Sequence, residues 1–219
     1  MNTQKDYEEY RKKLKEYKKE YVMMEDEFMS TEKYVSFEDD NLKTYSEFYK
    51  ELILKLGSEI DKAVKDLCDF LEIIEKSDDI LVRKIIEKKN EKNKKHKKYA
   101  WDCFKKIREY PGFFEQPVYV SFSSKLNQVY PLKEIQNDAS NSASWWNNYN
   151  VVKHEQQILC KEGNLENALS LLQVLYLILN IFNDIFIKVN DEFPKRLINE
   201  SKIFDMNDNK IHLLYKEVK

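Results

Sequence analysis

Glycine and proline are nearly missing from this 219-residue chain, with only three glycines (Gly57, Gly112 and Gly163) and four prolines. So few turn formers exclude a turn-rich β protein. With 35% of the residues charged, the balance favours long helices with charged outer faces. No G-x-x-x-x-G-K or G-x-G-x-x-G is present, so no glycine loop supports an NTPase or a dinucleotide enzyme. Cysteine is limited to Cys68, Cys103 and Cys160, an odd number without a C-x-x-C pair, which reads as free thiols in a reducing compartment. The three histidines, His96, His154 and His212, stand far apart, and no His/Cys spacing matches a zinc site. No metal and no cofactor is expected.

The chain also lacks the apolar core of a signal peptide near its start. Its most apolar run, Leu169 to Val189, is about long enough to span a bilayer, but Gln173, Asn180, Asn183, Asp184 and Lys188 interrupt it. That run reads as a buried core helix, and the expectation is a soluble, cytoplasmic protein with no membrane partner. The net charge of −2 is silent about partners, because large opposing blocks cancel within it.

What is present is helical periodicity. Tyr7, Tyr10, Leu14, Tyr17, Tyr21, Met24 and Phe28 alternate steps of three and four, a heptad-like seam on an extension (residues 1–36) that lies across the domain or across a partner subunit. Ser30 to Asp40 reads as a break. A second helix is expected from about Asn41 to Lys76, with Leu42, Tyr45, Phe48, Tyr49, Leu52, Leu56, Ile60, Ala63, Leu67, Phe70 and Ile74 inward. Glu59 and Asp61 on it either pair with Lys62 and Lys65 or orient a histidine as carboxylates.

Ser77-Asp78-Asp79 caps a further helix through Ile86. It runs into Lys88, Lys89, Lys92, Lys94, Lys95, Lys97 and Lys98, which form a solvated helix end or a phosphate-contacting strip for RNA with Tyr99 and Trp101 at its edge. Tyr99 to Tyr110 is a short helix. Pro117 to Phe122 reads as a short strand or extended loop. Asn164 to about Glu192 forms a long buried helix ended by Phe193-Pro194. The tail, residues 196–219, reads as a small hairpin or docking helix, the hairpin being favoured by the Asn and Asp of its turn. Residues 37–195 would form the bundle.

One segment brings apolar bulk, a histidine and clustered amides together: Trp145-Trp146-Asn147-Asn148-Tyr149-Asn150-Val151-Val152-Lys153-His154. On a helix, Asn147, Asn150 and His154 share one face at spacings of three and four, within reach of one ligand. Gly163-Asn164 then ends this helix and caps the next. The tryptophans and Tyr149 by themselves read as packing, and His154 with Asn150 as either a site or a structural hydrogen-bond cluster.

Trp145, Trp146, Tyr149, Asn150, Val152, Lys153 and His154, followed by Asn164, Leu165, Asn167, Ala168 and Leu169, resemble the HEPN superfamily. The likeness is to bacterial members with a W-W-x-x-Y-N-x-V-K-H segment and an N-L-x-N-A-L helix. Gly57 to Cys68 echoes the helix that packs beside the motif helix. The resemblance spans about residues 40 to 190. It implies an all-α bundle of four to five helices with an N-terminal helical extension and a small irregular or β insertion, assembled as a homodimer along the motif helix.

Catalytic HEPN proteins cleave RNA without metal, using an Arg, four to six intervening residues and a His. Here Tyr149, Asn148 and Asn147 occupy the Arg positions, and Lys153 is the only nearby cation. An amide donates to phosphate without the charge that stabilises a phosphorane. A Cys160–His154 dyad is excluded by a spacing that puts the two on different faces, and Ser58 and Ser170 lack a nucleophile elbow.

The resemblance implies an RNA-directed protein, an endoribonuclease or a degenerate RNA binder, in a toxin–antitoxin or phage-defence setting. His154 would be base or acid, Asn150 and Asn147 phosphate donors, Lys153 a charge contact, and Lys88 to Lys98 the RNA track. The alternative is a non-catalytic interaction module whose Tyr7 to Phe28 seam and bundle surface bind a protein partner such as an antitoxin or defence component.

Overall fold

The computed structural model describes residues 3–75, 99–107, 115–120, 122, 128–136, 143–154, 161–190, 197–198 and 201–205. Most of them lie in six α-helices: α1 (Thr3–Met29), α2 (Glu47–Glu75), α3 (Ala100–Ile107), α4 (Lys133–Gln136), α5 (Ser144–His154) and α6 (Leu165–Val189). Three short strands, β1 (Val118–Val120), β2 (Gln128–Val129) and β3 (Phe204–Asp205), form an antiparallel sheet in the order β2-β1-β3. The lysine run with His96, Cys160, Phe193-Pro194 and residues 206–219 lie outside the described residues.

The core forms around α6, which is apolar and buried around most of its circumference, with Glu166, Ser170, Asp184 and Lys188 along one half-buried edge. It is the one described helix long and apolar enough to cross a membrane, yet 83% of its most apolar stretch is buried inside the chain. A helix so largely apolar has to be covered on most of its sides. α2 packs along it and α1 closes the next side. Rings from all three helices meet: Tyr10 lies 4.9 Å from Phe70 and 6.0 Å from Phe182, and Phe70 lies 5.6 Å from Phe182. Each such ring contributes roughly 1.5–3 kcal/mol by leaving water. The seam read from the sequence is therefore satisfied within one chain: Tyr10, Leu14, Tyr17, Tyr21, Met24 and Phe28 are all buried.

The second helix starts later than its periodicity predicts, at Glu47, with Tyr45 and Phe48 left 44% and 41% exposed. The cause is capping. The first N–H groups of a helix have no partner within it. At the start of α6, Leu165 N–H donates to Thr44 O and Glu166 N–H to Leu42 O, at 3.0 and 2.9 Å. A turn at Leu42 and Lys43 leads into Thr44 and Tyr45, with Tyr45 bridging to Asn164. Ser46 donates its N–H to Gly163 O at 3.0 Å, and its Oγ caps α2 by accepting from Tyr49 N–H at 3.1 Å. The same turn thus starts both long helices.

The insertion does contain a strand, β1, and the tail contributes one too. Ile203-Phe204, expected in a tail hairpin, leads into β3 on the edge of β1, pairing Val120 with Phe204 and Tyr119 with Asp205. The rest of that proposed hairpin lies outside the described residues. Cys68 and Cys103 are buried and form no disulfide bond.

Two tyrosines of the seam and one of α2 have paired hydroxyls. Tyr17 donates to Asp66 at 2.7 Å, Tyr21 to Glu25 at 2.9 Å, and Tyr49 of α2 to Thr31 at 3.0 Å. Burial raises the phenol pKa of all three, reinforced for Tyr17 by Asp66 and for Tyr21 by the charge of Glu25. A raised folded-state pKa gives stability that is present below the unfolded value and lost as pH rises past it. In a spectrophotometric titration, these three of the 14 tyrosines should ionise only with unfolding, and stability should fall above about pH 10, the ordinary phenol value. Smooth ionisation of all the tyrosines in a still-folded protein would contradict this packing.

Candidate functional site

α5 is short, and its sequence explains how it is held. Trp145, Tyr149 and Val152, spaced four and three, are buried and form its inner face. The ring of Tyr149 lies on Gly57 of α2, where an added Cβ would stand 2.2 Å from Cδ2. Only a residue without a side chain permits that approach. Around Gly57, α2 thus packs beside α5. Trp145 turns toward α3, 5.4 Å from Phe104, and its Nε1 donates to Pro131 O at 2.9 Å. Trp146 completes the aromatic cluster, 6.2 Å from Phe104 and 5.2 Å from Tyr149.

The helix is tied at its amino end and on one flank. Glu134 of α4 accepts from Ser144 N–H at 2.6 Å and from Ser144 Oγ at 2.8 Å, placing a carboxylate at the positive end of α5. On its flank, Asn148 Nδ2 donates to Asn167 Oδ1 at 2.9 Å. Asn167 Nδ2 in turn donates to Glu162, at 2.9 Å to the backbone and 2.8 Å to the carboxylate. Asn164 Oδ1 caps α6 by accepting from Asn167 N–H at 2.9 Å. The N-L-x-N-A-L stretch is therefore a cap plus a buried amide hub that fastens α5 to α6. Asn148 and Glu162 were not singled out by sequence; the signal available was that Asn148 lies one position off the stripe shared by Asn147 and Asn150.

The opposite face carries the sequence-predicted residues. Asn147, Lys153 and His154 are exposed, Asn150 is half-buried, and Val151 between them is exposed. Asn147, Asn150 and His154 come out on one side, His154 as the last residue of the helix. Lys153 leaves that stripe, its Nζ standing 5.4 Å from the Tyr149 ring centroid in a cation–π contact. Glu59 and Asp61 take the plain role of lysine partners: Glu59 lies 3.4 Å from Lys62 and Asp61 2.5 Å from Lys65. Lys88, Lys89, Lys92, Lys94 and Lys95 lie outside the described residues. Among the described residues no cluster of His, Cys, Asp and Glu has the makings of a metal site. The stripe offers amide donors and acceptors and one imidazole for proton transfer.

No protein-family model matches this chain, and neither a curated protein nor a solved structure does.

The seat of α5 gives a test with a sign. Gly to Ala inside a helix ordinarily gains up to about 1 kcal/mol. At position 57 the methyl would strike the Tyr149 ring, and overpacking of that kind costs about 1–3 kcal/mol. Gly57→Ala should therefore lower the melting temperature by a few degrees, at about 2–4 °C per kcal/mol for a chain of this size. In a Tyr149→Ala background the same change should become neutral or stabilising. A stabilised Gly57→Ala single variant would show that Tyr149 does not sit there.

Proposed function

We propose that this chain is an RNA-directed helical protein of the HEPN type, binding RNA along the outward stripe of α5. The observation that carries this reading is the division of α5 into two faces. Trp145, Tyr149 and Val152 anchor it, while Asn147, Asn150 and His154 face outward together. A histidine serving only the fold would be expected inside, hydrogen-bonded; this one is exposed at the end of a firmly seated helix. The lysines from Lys88 to Lys98 supply the phosphate-contacting track, and two copies meet along α5.

With no arginine in the segment, binding is the principal activity. Cleavage depends on His154 alone for proton transfer, with amides in place of a guanidinium at the phosphate. The setting is a toxin–antitoxin or phage-defence system.

The competing reading, an interaction module, relied first on the Tyr7 to Phe28 seam. That seam is spent within the chain, buried against α2 and α6. Of the two surfaces this alternative named, the seam is thus already covered, which leaves it the outer surface of the bundle.

The test is retention and cleavage of total RNA and transfer RNA in EDTA, comparing wild type with Asn150→Ala and His154→Ala at matched thermal stability. Wild type should bind RNA with a steep salt dependence. Each variant should bind about fivefold more weakly, the loss of roughly 1 kcal/mol for one hydrogen bond. Metal-independent cleavage, where seen, should vanish with His154→Ala. Absence of both binding and cleavage by wild type would sink the reading.

A further inference from the structure

A buried carboxylate on α1 holds the far end of the chain. Glu25 is 1% exposed. It accepts from Tyr21 Oη at 2.9 Å, from Ser201 Oγ at 2.5 Å and from Lys202 N–H at 3.2 Å. Ser201 Oγ spends its one proton on Glu25 and accepts from Ile203 N–H at 3.2 Å and Phe204 N–H at 2.9 Å, so all its capacity is used. Lys202 Nζ lies 2.5 Å from Asp26. Asn180, wholly buried in α6, accepts from Ile198 N–H at 3.1 Å. Against these polar anchors the segment inserts Ile198, Ile203 and Phe204, the last 5.5 Å from Tyr176.

What Glu25 holds leads on to α5. Ser201 orders the turn into β3, β3 pairs with β1, and β1 pairs with β2 through Val118–Val129 and Tyr119–Gln128. Immediately after β2 come Pro131, whose carbonyl holds the Trp145 indole, and Glu134, which caps Ser144. The sheet is only two or three residues deep, and so short a ladder depends on its edges staying paired.

We propose that residues Ser201–Asp205 form a detachable clasp, locked by Glu25, whose release loosens the β2-β1-β3 sheet and with it the amino end of α5, while α2 and α6 stay folded. The clasp is a conformational device for adjusting α5 from a point outside it. It stands on these contacts whether or not α5 binds RNA.

Two variants test it. Glu25→Gln keeps the shape but presents an amide donor where Glu25 now only accepts, leaving Lys202 N–H or Ser201 Oγ without an acceptor. Ser201→Ala removes the hydroxyl at the turn and leaves α1 untouched, so it serves should Glu25→Gln fold poorly. Hydrogen exchange is read by mass spectrometry on peptides covering residues 118–136, 143–148, 201–205 and the centres of α2 and α6. The three tryptophans all lie in α3 or at the start of α5, so intrinsic fluorescence reports this same region.

Exchange in residues 118–136 and 143–148 should rise together with that of the clasp, by about tenfold, with α2 and α6 unchanged, as expected for a local opening. Tryptophan emission should shift to the red. Faster exchange confined to 201–205 would overturn the coupling, and equal loss of protection in α2 and α6 would overturn a separable clasp. No change at any of these peptides would show that Glu25 and Ser201 lock nothing.

Discussion

The structure depends on one constraint: α6 is apolar around most of its circumference and must be wrapped. α1 and α2 cover two sides and the Ile198 and Ile203–Phe204 segment reaches it as well. Several polar groups within this core have partners that tie a neighbouring element to it, while Gln173 Nε2 of α6 is buried without a hydrogen-bond partner among the described residues. Asn180 holds Ile198, and Asn167 holds Asn148 and Glu162. Glu25, on α1, fastens the Ser201 turn. A buried polar group left unpaired is costly, so each of these fixes the register of the segment it binds.

α5 has a different position in this scheme. It is too short to stand alone, and it is secured by side-chain contacts on three sides: Gly57 beneath Tyr149, Phe104 and Pro131 around Trp145, and Asn167 beside Asn148. Such fixing on one face leaves the other free to present polar groups in a defined geometry. A rigid helix displaying Asn147, Asn150 and His154 suits recognition of a polar, extended ligand better than a loop would.

Much of this was legible because period is a direct readout of burial. The Tyr7 to Phe28 seam and the continuous apolar run after Asn164 are both where the spacing put them. The close approach of the Tyr149 ring to Gly57 is visible only in the structure. What local pattern missed is set by distant partners. The start of α2 moved from Asn41 to Glu47 because residues 42–46 are claimed by the unpaired N–H groups of α6, a demand more than a hundred residues away in sequence. Phe204 joined β1 for the same kind of reason: the strand edge available to it lay in the insertion. Buried hubs such as Glu25 and Asn167 look like ordinary surface residues until the segments they bind are in place. The outward stripe was legible in position, from helical spacing, while its chemistry rests on residue types alone.

The most direct measurement is diethyl pyrocarbonate modification of His154, read by peptide mass spectrometry with and without RNA. An imidazole facing solvent at the end of α5 should react as readily as one in a peptide, and bound RNA should protect it along with the stripe. A His154 that is inert in the free protein would contradict the outward face. One that stays equally reactive when RNA is bound would move the ligand elsewhere on the chain.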